Sequence, residues 1–198
     1  MQPLWYGDRR DRVKWGALLY LAERFNLSPI IQVAFWRDET VKTLKIGSEH
    51  RSIPLSTAVW KHFSDLRTIE RLAQATSKRI VVIDDPFEES RRREYIKRIN
   101  QRIVRHTRPK LLFLDPDTGI QPDRSARAVH ATITDVRELW TTLTRGDLLA
   151  IYQHASRRRN WMRKKQDQLR WACKGSRVFA IRSPEISKDV AMLWTRKA

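Results

Sequence analysis

Apolar and polar positions along this chain switch repeatedly between a helical and a strand-like period. Val13, Leu18, Leu19, Leu21 and Ala22 lie at near-helical spacing, which predicts a first helix over Asp8 to Phe25. Asn26 to Pro29 ends it. Ile30 to Trp36 (IIQVAFW) is a short apolar run that fits a buried strand. Arg37 to Pro54 is polar, with one edge strand expected near Val41 to Ile46. Over Ser56 to Thr76, Val59, Phe63, Leu66, Ile69 and Leu72 form a helical stripe.

Arg79 to Asp84 (RIVVID) fits a second buried strand. Asp85, Pro86 and Glu88 then resemble a helix start, with Asp85 as cap and a helix running to about His106. Lys110 to Asp115 (KLLFLD) is a third strand and Thr134 to Leu143 a helix. Gly146 to His154 is a fourth strand, and Asn160 to Cys173 a basic helix. Arg177 to Arg182 and Asp189 to Thr195 supply two closing strands.

This alternation predicts an α/β fold with a doubly wound, mostly parallel, Rossmann-like sheet. The last two strands have too little chain between them for a helical crossover, so a C-terminal antiparallel hairpin is expected. A length of 198 residues suits one domain spanning 1–198.

Charge changes the picture most. Forty Lys plus Arg against twenty-two Asp plus Glu give a net charge of +18. Such a field attracts polyanions and points to nucleic acid, DNA or RNA, as partner. No stretch is apolar enough to span a membrane. Cys173 is the only cysteine, which excludes an intrachain disulfide and a cysteine-based zinc cluster. Met1 to Trp15 has no apolar signal core, and a cytoplasmic location is expected.

Open α/β sheets bind ligands beyond the carboxyl ends of their strands. Here those ends turn polar abruptly: Trp36-Arg37-Asp38, then Asp84-Asp85, then Asp115-Pro116-Asp117-Thr118-Gly119, then Tyr152-Gln153-His154. Asp115, Asp117 and His154 are the catalytic candidates. A plainer role exists for several of them. Asp85 caps a helix, Asp117 with Gly119 makes a turn, and His154 sits in a satisfied structural position. Gly7, Asp8, Asp11 and Lys14 open the first helix. Asp11 and Lys14, three apart, suit a surface pair as well as a ligand site.

Two basic faces stand out. Arg91, Arg98, Arg102 and Arg105 share one side of the helix after Pro86, while Ile96, Ile99 and Ile103 face the core. Arg157, Arg158 and Arg159 precede Trp161, Lys164 and Lys165. Arginine forks grip phosphates and an interleaved Trp stacks on bases. A solvated helix face is the alternative.

The order of these elements resembles a class I S-adenosylmethionine-dependent methyltransferase, a family with a seven-stranded sheet ending in an antiparallel hairpin. Gly7, Asp11 and Lys14 are similar to the G-x-x-x-D-x-x-K opening of enzymes that methylate adenine N6 in ribosomal RNA. Asp115 and Pro116 fall where those enzymes carry a D-P-P-Y type motif. The resemblance implies that Asp115 orients the target amine, and that Lys14, Trp36 and Asp84 surround S-adenosylmethionine. Two departures are visible. IIQVAFWRDET has no glycine where the family has its Gly-rich cofactor turn, and Asp117 and Thr118 replace the second Pro and the aromatic. Three functions follow: a nucleic-acid methyltransferase, a nuclease holding Mg²⁺ on Asp84, Asp115 and Asp117, or a catalytically inactive nucleic-acid-binding protein.

Overall fold

The computed structural model describes residues 9–37, 43–46, 51–54, 66–122, 127–156 and 159–198. The main sheet has four parallel strands: β1 (Ile30–Val33), β4 (Ile80–Ile83), β5 (Leu111–Leu114) and β8 (Leu148–His154). Two more, β9 (Phe179–Ser183) and β10 (Ser187–Arg196), join antiparallel, giving the order β4-β1-β5-β8-β10-β9. The expected doubly wound sheet and terminal hairpin are both present. Among the described residues the main sheet has six strands.

The helices are α1 (Arg9–Arg24), α2 (Leu72–Thr76), α3 (Arg92–Ile103), α4 (Ile133–Thr142) and α5 (Trp161–Ala172). Side chains alternate across the strands, so each strand feeds two cores. Ile30, Leu111, Phe113, Leu148 and Ala150 pack with Val13, Leu18 and Leu21 of α1. Ile31, Val33, Leu112, Leu114 and Leu149 pack with Ile96 and Ile99 of α3, Val136 and Leu139 of α4, and Leu169 of α5. Fully burying one such side chain stabilises by roughly 1.5–3 kcal/mol. The result is three layers, with α1 on one face and α3, α4 and α5 on the other.

Local chemistry sets several boundaries. Thr132 and Asp135 form a reciprocal capping box on α4. The start of α3 differs from expectation. Phe87 N–H donates to the Trp36 carbonyl at 2.6 Å, and Trp36 bridges Pro86 in parallel. This pairing holds the chain extended past β4, so Asp85 caps no helix. The helix begins later, through a 3-10 turn at Glu89–Arg91, and Asp85 instead pairs with Arg102.

Other expectations are corrected in the same way. The strand near Val41 to Ile46 is no edge of the main sheet: β2 (Thr43–Ile46) pairs antiparallel with β3 (Arg51–Pro54) in a separate ribbon. Of the helix expected over Ser56 to Thr76, residues 56–65 lie outside the described residues. Leu66–Arg71 is a 3-10 helix leading into α2. A short parallel pair, β6 (Gly119–Ile120) with β7 (His130–Ala131), follows the loop after β5 and had no counterpart in the sequence pattern.

Candidate functional site

Strand register brings the expected acids to one edge. Ile83, Val33, Leu114 and Ile151 are mutual partners across the four parallel strands. The next residues, Asp84, Ala34, Asp115 and Tyr152, therefore stand side by side at the carboxyl edge. Asp84 and Asp115 are separated by β1, two strand spacings or roughly 9.5 Å. His154 closes β8 at the same edge, and its N–H donates to the Thr118 carbonyl at 3.2 Å.

The side chains at this edge join different groups. Lys14, on α1, places its Nζ 2.8 Å from Asp11 Oδ1 and 3.1 Å from Asp115 Oδ1. Gln32 Nε2 donates to Asp115 Oδ2 at 2.8 Å. The ammonium also lies 4.5 Å from the centroid of the Tyr152 ring. Asp11, Lys14, Gln32 and Asp115 are all buried, Asp115 being 1% exposed. Asp11 and Lys14 thus form no surface pair. Burial alone would lower the Lys14 pKa, but the carboxylates of Asp115 and Asp11 outweigh it and hold the ammonium above the usual lysine range. Burial, with the Asp11 charge behind it, pushes Asp115 upward against the pull of Lys14. Two acids share one cation here.

The loop after β5 is fastened from three sides. Gln153 Oε1 accepts from Ile120 N–H at 2.9 Å, and its Nε2 donates to the Thr118 carbonyl at 3.0 Å. Lys165 Nζ donates to the carbonyls of Ile120 and Gln121, both at 2.7 Å. Asp117 pairs with Arg37, which follows β1 as Asp117 follows β5. Gly119 adopts a φ of +100°, and a Cβ there would meet Gln153 Oε1 at 2.4 Å. Only glycine suits that turn.

His154 packs edge-on against the Tyr152 ring at a centroid separation of 5.4 Å and also faces Asp189. Its Nδ1 lies 3.9 Å from Asp189 Oδ2, which also accepts from Arg10 Nη2 at 2.6 Å. Ser187 Oγ donates to the other Asp189 oxygen at 2.5 Å. These bonds, the Arg10 bond foremost, draw the Asp189 pKa down to about 2.

The basic candidates divide. Arg91, Arg98, Arg105 and Arg159 are exposed, and Arg102 is half-buried against Asp85. Trp161 is half-buried, with the Arg182 guanidinium 5.7 Å from its ring centroid. Lys164 is half-buried. Lys165 points inward and cannot meet a phosphate, because its ammonium is spent on the two loop carbonyls. Gly7, Asp38, Arg157 and Arg158 lie outside the described residues.

Neither implied cofactor fits the described residues of this edge. S-adenosylmethionine needs close approach to the backbone after the first strand. Here that segment is Ala34-Phe35-Trp36, with no glycine. Trp36 spends its carbonyl on Phe87, and Phe35 fills the space with Phe87 and Tyr95 at ring separations of 5.1–5.6 Å. For Mg²⁺, Asp84, Asp115 and Asp117 do not converge. Among the described residues no three His, Cys, Asp or Glu groups form a cation site. Asp115 holds an ammonium where a metal would bind, and Asp117 holds Arg37.

The sequence placed Arg37, Tyr152 and Gln153 at strand ends without a role and left Asp11 between a surface pair and a ligand site; it missed Gln32 altogether. Two signals were present. Gln32 interrupts an apolar strand, and Asp11 and Lys14 share the helical phase of Leu18 and Leu21.

The strand order and terminal hairpin define a doubly wound, Rossmann-like α/β protein. No family model matches the chain, and no curated protein matches it. Among solved structures, the chain is similar to a release-factor-specific protein-(glutamine-N5) methyltransferase from Alicyclobacillus acidocaldarius. That likeness covers 98% of this chain and 95% of the other, at 12% identity and a TM-score of 0.43. A duf574 family protein from Streptomyces avermitilis is similar over 96% of this chain and 82% of its own, at 11% identity and a TM-score of 0.39. At these values neither likeness bears on activity. Among the described residues no helix is long and apolar enough to cross a membrane.

Proposed function

We propose that this chain binds nucleic acid through the helical face of its sheet, and that Asp115 holds the fold together rather than orienting a substrate. One observation carries the second half. Both Asp115 oxygens are engaged, by Lys14 and by Gln32, at a site closed to solvent. A target amine or a metal would have to displace a buried ammonium. The first half rests on where charge lies. Asp11, Asp85, Asp115, Asp117, Asp135 and Asp189 are tied to cations of the same chain. Arg91, Arg98 and Arg105 of the α3 region and Arg159 and Arg163 of the α5 region are exposed. These exposed arginines carry part of the chain's net charge of +18 to the surface, where phosphates are natural counterions.

Fluorescence anisotropy with labelled RNA and DNA tests this. Affinity should fall steeply between about 50 and 200 mM salt, and the triple variant Arg91→Ala, Arg98→Ala, Arg105→Ala should flatten the slope. An unchanged slope would reject this surface. Calorimetry with S-adenosylmethionine should give no heat. Saturable heat would restore the methyltransferase reading, which the shared edge of Asp84 and Asp115 favours.

A further inference from the structure

A groove of about 690 Å³ runs along α5 against the start of α4. Asn160, Arg163, Lys164, Asp167 and Trp171 line it from α5, and Ile133 and Gln121 close the other side. Arg163, Lys164, Asp167 and Trp171 share one face of α5, a stripe roughly 12 Å long by helical rise. Gln121 is the residue whose carbonyl Lys165 anchors, so the groove opens directly from the fastened loop after β5.

Trp171 is the most exposed large apolar side chain of the described residues, at 64%. The Arg137 guanidinium lies 4.2 Å from its ring centroid, over one face. With Trp171 so exposed, the opposite face remains for a planar partner. The acid of the stripe, Asp167, is paired with Arg170 at 2.6 Å.

We propose that this groove is a single-strand subsite, in which an unpaired base stacks on Trp171 while Arg163 and Lys164 hold the adjoining phosphates. The proposal rests on the nucleic-acid reading above and names its substrate as unpaired rather than duplex. Stacking on an indole needs a free base face, which a helix of paired bases does not offer along its length. A cation already on one side of the ring adds to the pull on the anionic strand.

Anisotropy with a labelled short oligouridylate and with a duplex of the same length decides it. Trp171→Ala should weaken oligouridylate binding roughly tenfold and leave duplex binding unchanged, whereas Trp171→Phe should keep most of the affinity. Because the indole is exposed, both variants should melt as the wild type does. Equal oligouridylate affinity in wild type and Trp171→Ala would overturn the subsite and leave nucleic-acid binding standing. If the wild type bound neither probe, the broader reading would fail and the subsite with it. Displacement of the strand by polyglutamate as readily as by unlabelled oligouridylate would overturn stacking in favour of an acidic protein segment.

Discussion

Lys14 and Asp115 meet at 3.1 Å across 101 residues of sequence, in a site that water does not reach. The contact ties α1 to the carboxyl edge of the central strand pair. It also decides what Asp115 can do, since an acid holding a buried ammonium is poorly placed to accept a bond from a substrate.

Removing the cation should be costly. Lys14→Met leaves Asp11 and Asp115 buried beside each other without their shared cation, and should destabilise by about 3–5 kcal/mol. The double variant Lys14→Met, Asp115→Asn should recover part of that loss, because one of the stranded charges goes with it. Urea titrations of both variants and of Asp115→Asn alone check this. Additive losses would show that the two residues are not coupled.

Gly119→Ala should destabilise by roughly 1–3 kcal/mol. The new methyl would meet Gln153, whose amide is fixed by three hydrogen bonds, at a backbone angle that disfavours any side chain. Thermal melting checks this. Gln153→Ala should relieve the clash while loosening the same loop.

Neighbouring basic residues should separate by readout. Lys165→Ala removes two charge-assisted bonds to loop carbonyls and should cost about 2–3 kcal/mol of stability. Arg163→Ala should leave melting unchanged and lower the salt slope of nucleic-acid binding by about 0.9, one phosphate contact. Reversed behaviour would mean that the inward and outward cations had been misassigned.

Acid should weaken the hairpin tie. The Asp189 pKa falls from 3.8 to about 2 on folding, chiefly through the Arg10 hydrogen bond. Its contribution is therefore present above about pH 4 and is lost as pH falls toward 2. Asp189→Asn should flatten the stability profile across that window and lower stability near neutrality, where the wild type keeps the contribution. A profile that still falls with the same slope would assign the acid sensitivity elsewhere.

The pattern of the chain determined the layers. Four apolar runs with helical stripes between them can bury both faces only as a parallel sheet, and the short closing segment forces an antiparallel pair. Because each run ends in a polar residue, the sequence also placed Asp84, Asp115 and His154 at one edge. What it could not decide was pairing. Whether Lys14 faces solvent, a cofactor or Asp115 depends on how α1 lies against the sheet. Whether Asp85 caps a helix depends on Trp36 reaching Pro86. Lys165 and Lys164 are adjacent and chemically alike, and only the position of the loop carbonyls turns one inward. Periodicity is a local property of the chain. A buried charge is satisfied by whichever distant partner the packing brings within about 3 Å, and that partner is fixed by the tertiary structure alone.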